Sequence, residues 1–101
     1  MIAPARRAAT EVTSAVDAGR LDLATALADA HAGLADPRDR ALLTDLATGV
    51  QRWRLSLDFA IHALTRRQPA DLDPEVRAAL RLGLYQLQHA DRLPASAVVH
   101  E

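Results

Sequence analysis

Between Pro37 and Pro69 no proline interrupts the chain, and across that span Leu42, Leu46, Gly49 or Val50, Trp53, Leu57, Ile61 and Leu64 recur at three- and four-residue spacing. Only an α-helix gathers residues so spaced onto one face. The pattern predicts helix over 37–66, as one long helix or two collinear ones meeting near Gly49. Its start is written in "ADPRDR". Asp36 can accept from the free amides of the first turn, Pro37 lacks the donor that would be orphaned there, and Asp39 suits the positive end of the helix dipole. "DLDPEVRAAL" repeats the device and predicts a helix over 74–89, with Val76, Ala79, Leu80, Gly83, Leu84 and Leu87 as its apolar face. The two Asp-Pro starts are a shared cap and not an internal repeat.

The remaining punctuation completes the reading. Pro4 stands at a first helical position, and Ala8, Ala9, Val12 and Val16 follow until Gly19 supplies a stop, predicting a helix over 4–18. Asp22 is a candidate N-cap for Leu23, Ala26, Leu27 and Ala30, which end at Gly33, so a second helix is expected over 22–32. In "RLPASAVVHE", Pro94 and Ser96 precede an apolar pair and suggest the first turn of a further helix, 96–101, cut short by the chain end. No strand-like alternation occurs. The expected fold is all-α, about five helices in one domain spanning 1–101.

Chain length and composition agree with one small helical domain: 101 residues, half of them hydrophobic and a quarter charged. There is no cysteine, so thiolate nucleophiles, disulfides and Cys-ligated zinc are excluded. The opening "MIAPARRAAT" lacks a signal-peptide core, and no apolar run approaches the ~18 residues of a membrane span. A cytoplasmic protein without membrane contact is expected. The net charge of -1 argues mildly against a surface that binds nucleic acid everywhere. The charge is nevertheless uneven. Arg6 and Arg7 stand in an opening segment without acids, and Pro37 to Arg67 holds six arginines, at 38, 40, 52, 54, 66 and 67, against three aspartates. Between these segments Asp17, Asp22, Asp29 and Asp36 face only Arg20.

Catalytic patterns are missing from the sequence. The histidines at 31, 62, 89 and 100 are too far apart for an i, i+4 ligand pair, and no G-x-S-x-G elbow, Walker loop or G-x-G-x-x-G turn occurs. Trp53 falls within the apolar stripe and is expected in the core, with Arg52 and Arg54 about 100° to either side. Those arginines could snorkel, lie over the indole or reach a phosphate. Arg6 and Arg7 occupy a first helical turn, where cations oppose the dipole. There they are either a solvated terminus or, together with the free amides, an anion site.

Taken in order, "ARRAATEV", "DPRDRALLTDLATGVQRWR", "LDPEVRAALRLGLYQL" and "RLPASAVVHE" resemble the NusB-like domain, in particular the version at the N-terminus of ribosomal RNA cytosine-C5 methyltransferases of the Sun/Fmu (RsmB) type. The resemblance implies an all-helical fold of two small bundles that binds RNA or docks onto an RNA-protein assembly without chemistry of its own. It places catalysis in a separate C-terminal domain that binds S-adenosylmethionine and uses cysteines, so no cofactor is expected in this chain. It maps RNA contact onto Arg6 and Arg7, and the basic segment adds Arg40, Arg52 and Arg54 to the expected ribosomal-RNA-binding set. The family domain continues beyond "VVHE", which implies apolar faces able to form a homodimer or exchange a helix. The alternative within the resemblance is a transcription antitermination factor acting as a protein-protein and RNA adaptor.

Overall fold

In the computed structural model, which describes residues 3–89, the chain is all-α. The elements are α1 (Pro4–Asp17), α2 (Leu23–Ala32), α3 (Pro37–Arg52), α4 (Arg54–Thr65), a single 3-10 turn at Pro69–Asp71, and α5 (Pro74–Gln88). The predicted further helix at 96–101 lies outside the described residues. Among the described residues no helix is long and apolar enough to cross a membrane.

The helix starts follow the capping chemistry. Asp22 accepts from the Thr25 amide at 2.7 Å, Asp36 from the Arg38 amide at 2.8 Å and Asp73 from the Glu75 amide at 2.9 Å. Gly19, at φ 74°, ends α1 in the left-handed region that favours glycine. Arg66 takes a similar conformation, φ 61°, at the end of α4, a turn that glycine would form with less strain.

α1 lies against α2, α3 and α5. The core joins Ala9 and Val12 of α1 and Ala26 of α2 to Leu43, Leu46, Ala47 and Val50 of α3, Leu57 of α4, and Leu82 and Tyr85 of α5. Ala9 and Ala47 are fully buried, and such small side chains let helices approach closely.

Two expectations about the core are corrected. The 37–66 span forms two helices, the second of the two readings, but they meet at Trp53 (φ -104°, ψ 17°), four residues beyond Gly49, and the second ends at Thr65. The Trp53 amide still bonds to the Gly49 carbonyl, at 3.0 Å, and its own carbonyl accepts from the Leu57 amide, at 2.9 Å. The chain thus turns while keeping these two bonds, and Trp53 leaves the stripe and is 43% exposed instead of buried. On α5 the buried face is Ala78, Arg81, Leu82 and Tyr85, while Val76 and Leu87 are exposed. The helix is therefore rotated away from the face that hydrophobicity alone selects.

Ion pairs account for that rotation. Arg77 donates from Nε and Nη2 to one Asp17 oxygen, at 2.9 and 2.6 Å, and from Nη1 to the Pro69 and Leu72 carbonyls, at 3.0 and 3.2 Å. Arg81 grips Asp58 through Nε and Nη2, at 2.8 and 3.0 Å, and reaches the other Asp17 oxygen through Nη1, at 3.1 Å. This bidentate network joins the end of α1, the middle of α4 and the first half of α5. Burial works to raise the Asp17 pKa, but the hydrogen bonds from Arg77 and Arg81 outweigh it and hold the carboxyl below its usual value of 3.8.

One helical turn beyond Arg81, Tyr85 stacks on the backbone of Gly49. A Cβ at position 49 would collide with the Tyr85 ring, whose hydroxyl donates to Asp45 at 3.0 Å. Alanine in place of glycine stabilises a helix interior by about 1 kcal/mol, and overpacking a core costs about 1–3 kcal/mol. Steric overlap with a tethered ring should prevail, so Gly49→Ala is expected to lower the urea midpoint. A raised midpoint would mean that the ring swings aside freely.

The Asp17 network makes a second prediction. Its carboxyl is depressed in the folded state, so the stability it contributes is present above the unfolded value near 3.8 and is lost as pH falls through the lower folded value. Asp17→Asn should cost roughly 2 kcal/mol at neutral pH, less than a fully buried pair because the side chain is 22% exposed. It should also flatten the acid limb of the stability profile below pH ~4. Chemical denaturation of both proteins across that range checks it; an unchanged acid limb would remove Asp17 from the account.

Candidate nucleic-acid interface

Contacts at its two ends orient α5 against α1. Arg77 and Arg81, in its first half, meet Asp17 at the end of α1. Near its other end, the Gln86 amide faces the Arg6 guanidinium, and with its oxygen assigned to that side it accepts from Nε and Nη2 at 3.1 and 3.3 Å. The two helices therefore run antiparallel, and the start of α1 lies beside the last turn of α5. α3 instead runs parallel to α5: Gly49 and Asp45 meet Tyr85, and Trp53, at the end of α3, meets His89.

At this end three rings are in series. The Trp53 and His89 centroids are 5.5 Å apart with planes tilted by 40°, and those of Tyr85 and His89 are 4.5 Å apart. The imidazole is further tied at Nδ1 to the Tyr85 carbonyl, at 3.0 Å. A small cleft of about 210 Å³ opens beside them, lined by Asp45, Thr48, Gly49, Arg52, Trp53 and Tyr85.

Of the five arginines expected to contact RNA, Arg6 and Arg52 are brought to this end, through Gln86 and the cleft respectively. Their neighbours Arg7 and Arg54 are exposed beside them in sequence. Arg40 is not part of the group. It stands in the first turn of α3, about 20 Å along the helix from Trp53 at 1.5 Å per residue. There its Nη1 donates to the Leu34 and Ala35 carbonyls, at 2.6 and 3.0 Å, and ties down the α2–α3 loop.

A second cleft, of about 620 Å³, opens on the opposite half of α5, with Leu55, Phe59, His62, Arg77 and Arg81 among its lining residues. Its two arginines are committed to Asp17 and Asp58. Leu55 and Phe59, 82% and 77% exposed, form an apolar rim. Among the described residues no group of histidine and carboxylate side chains could hold a metal ion.

Sequence reasoning missed Arg77, Arg81 and Tyr85. The i, i+4 spacing of the two arginines puts them on one face, a signal present in the sequence, but nothing local announces that Asp17 and Asp58 lie opposite.

The NusB family model matches residues 3–101. The ribosomal RNA small subunit methyltransferase B of Pseudomonas putida is 38% identical over 96 residues, covering 95% of this chain and 22% of that protein. The corresponding protein of Xanthomonas campestris is 38% identical over 95 residues, 93% of this chain and 21% of its own length. A transcription antitermination protein NusB from Rhodopseudomonas palustris is 39% identical over 67 residues, 64% of this chain and 38% of that protein. No solved structure matches significantly. The chain thus spans about a fifth of the length of the methyltransferases it matches. An all-α bundle with Asp-Pro helix starts, matched by the family model over nearly its whole length, belongs to the NusB family.

Proposed function

We propose that this chain is a non-catalytic RNA-binding domain of a ribosomal RNA cytosine-C5 methyltransferase, gripping the RNA backbone through arginines. The observation that carries the reading is the convergence of Arg6 and Arg52 at one end of the bundle, with Arg7 and Arg54 alongside. Guanidinium groups recognise phosphate oxygens bidentately, and the start of α1 adds free amides and the positive end of its dipole. Both methyltransferase relatives are named for ribosomal RNA, which favours that RNA as the ligand. Arg40 is a weaker contributor, since part of its guanidinium is bound to loop carbonyls.

Methyl transfer and S-adenosylmethionine are assigned to another domain of the parent protein. This chain has no cysteine to serve as nucleophile, and its four glycines occur singly, without a cofactor-binding turn. The likeness to an antitermination protein supports a second reading, in which the helices are docking faces of a protein-RNA adaptor.

Exposed Leu55, Phe59, Leu64, Val76 and Leu87 support a partner surface, and a second copy of the chain is the partner proposed. Sedimentation should then show a mass that rises with concentration in the micromolar range. A monomer throughout that range would defeat self-association.

The RNA reading is tested by fluorescence anisotropy of a labelled ribosomal RNA hairpin at several salt concentrations. Arg6→Ala/Arg7→Ala should weaken binding and reduce the slope of log affinity against log salt by about 2, since each phosphate contact contributes ~0.9. Equally feeble binding by wild type and variant would favour the adaptor.

A further inference from the structure

We propose that the indole of Trp53, seated against His89 and bordered by Arg52 and Arg54, is a stacking platform for one unpaired base of single-stranded RNA. The proposal deepens the RNA reading and rests on it. It begins from an anomaly in the fold. The largest aromatic side chain of the protein occupies a position that the helical stripe would bury, yet the break between α3 and α4 turns it outward. Aromatic side chains contribute most to stability when buried, so a tryptophan turned out at a helix break gives up packing. Its surroundings provide a reason.

The rings of Trp53, His89 and Tyr85 form a short tilted series. His89 is held by the Tyr85 carbonyl, and Tyr85 is fixed between the Gly49 backbone and Asp45. The indole is thus backed by a second ring on a supported base, and less freedom remains to be lost when a base stacks on it. Every base has a π face, so such a platform is tolerant of sequence.

Charge favours nucleic acid over an apolar peptide as the occupant. Arg52 lines the cleft beside the indole, Arg54 follows it on α4, and Arg6 stands next to Gln86, less than one turn of α5 from His89. Together these arginines orient a strand: the base lies toward the indole, and its phosphates lie outward against the guanidiniums. An apolar peptide would gain nothing from that arrangement. Double-stranded RNA keeps its bases stacked internally and offers no free face, so the preferred ligand is a loop or single strand.

Trp53 is the sole tryptophan, so the unmodified chain carries its own reporter. Its emission should be titrated with a short single-stranded oligoribonucleotide and with an abasic strand of equal length and charge. Stacking predicts that the oligoribonucleotide quenches indole emission and that the abasic strand binds more weakly without quenching. Trp53→Ala should weaken binding of the base-bearing strand by about five- to 150-fold, leave the abasic strand unaffected and leave the salt slope unchanged; Trp53→Phe should restore most of the loss. Circular dichroism of both variants establishes that they remain folded, and the unmutated titration stands should either fail to fold. Salt-dependent binding with no quenching and equal affinity for both strands would overturn the platform while leaving the phosphate-gripping reading intact. No binding of either strand would overturn both.

Discussion

The carboxylates of Asp17, shared by Arg77 and Arg81, and of Asp58, held by Arg81, govern the placement of α5. α5 carries enough apolar side chains for two faces, and hydrophobic burial alone does not choose between them. Arg77 and Arg81 decide. Their guanidiniums meet fixed partners on α1, on α4 and in the 3-10 turn, and Arg81 is only 7% exposed. An arginine so buried is tolerable only when its charge is answered and its donors are satisfied, which gives the network narrow geometric tolerance. Once Arg81 is seated, Tyr85 must face α3 one turn later, and only a glycine at position 49 leaves room for its ring. His89, one further turn along, then meets Trp53. The geometry of the proposed RNA surface is inherited from ion pairs at the other end of the helix.

The break at Trp53 has a related consequence. A continuous helix over 37–66 would hold Trp53 in the core and separate Arg52 and Arg54 on the two borders of a buried stripe. By turning at Trp53, whose amide still donates to the Gly49 carbonyl and whose carbonyl still accepts from the Leu57 amide, the chain exposes the indole. It also lets Leu57 and Ile61 remain buried on α4, while Leu55 and Phe59 face outward.

How far the sequence discloses this structure depends on whether the deciding interaction is local. Asp22, Asp36 and Asp73 act within three residues of themselves, and each helix start was readable from them. Gly19 likewise declares its stop through its own φ. The end of α4 carries no such signal, because Arg66 takes the left-handed turn that glycine normally marks. The burial of Arg81 and the exposure of Trp53 were illegible for a different reason: partners lie 23 to 64 positions away for Arg81 and at His89 for Trp53. Of the site itself, sequence analysis named arginines that stand together, Arg6 and Arg52, and one that stands apart, Arg40. It could not supply the antiparallel run of α1 and α5 that makes the difference.

That same arrangement changes what a net charge of -1 means for a nucleic-acid ligand. Overall charge counts every arginine equally, yet Arg77 and Arg81 neutralise Asp17 and Asp58 internally. Removing such pairs from the count leaves the total unaltered and the distribution much sharper. Acids and bases cancel at the Asp17 end of α5, whereas Arg6 and Arg52 lie toward the His89 end. At physiological salt a charge is felt over about 8 Å, so an approaching phosphate responds to the local end and not to the molecular total. A near-neutral domain can in this way present one attractive pole, and under the proposed RNA reading that pole would orient the domain before any base is touched.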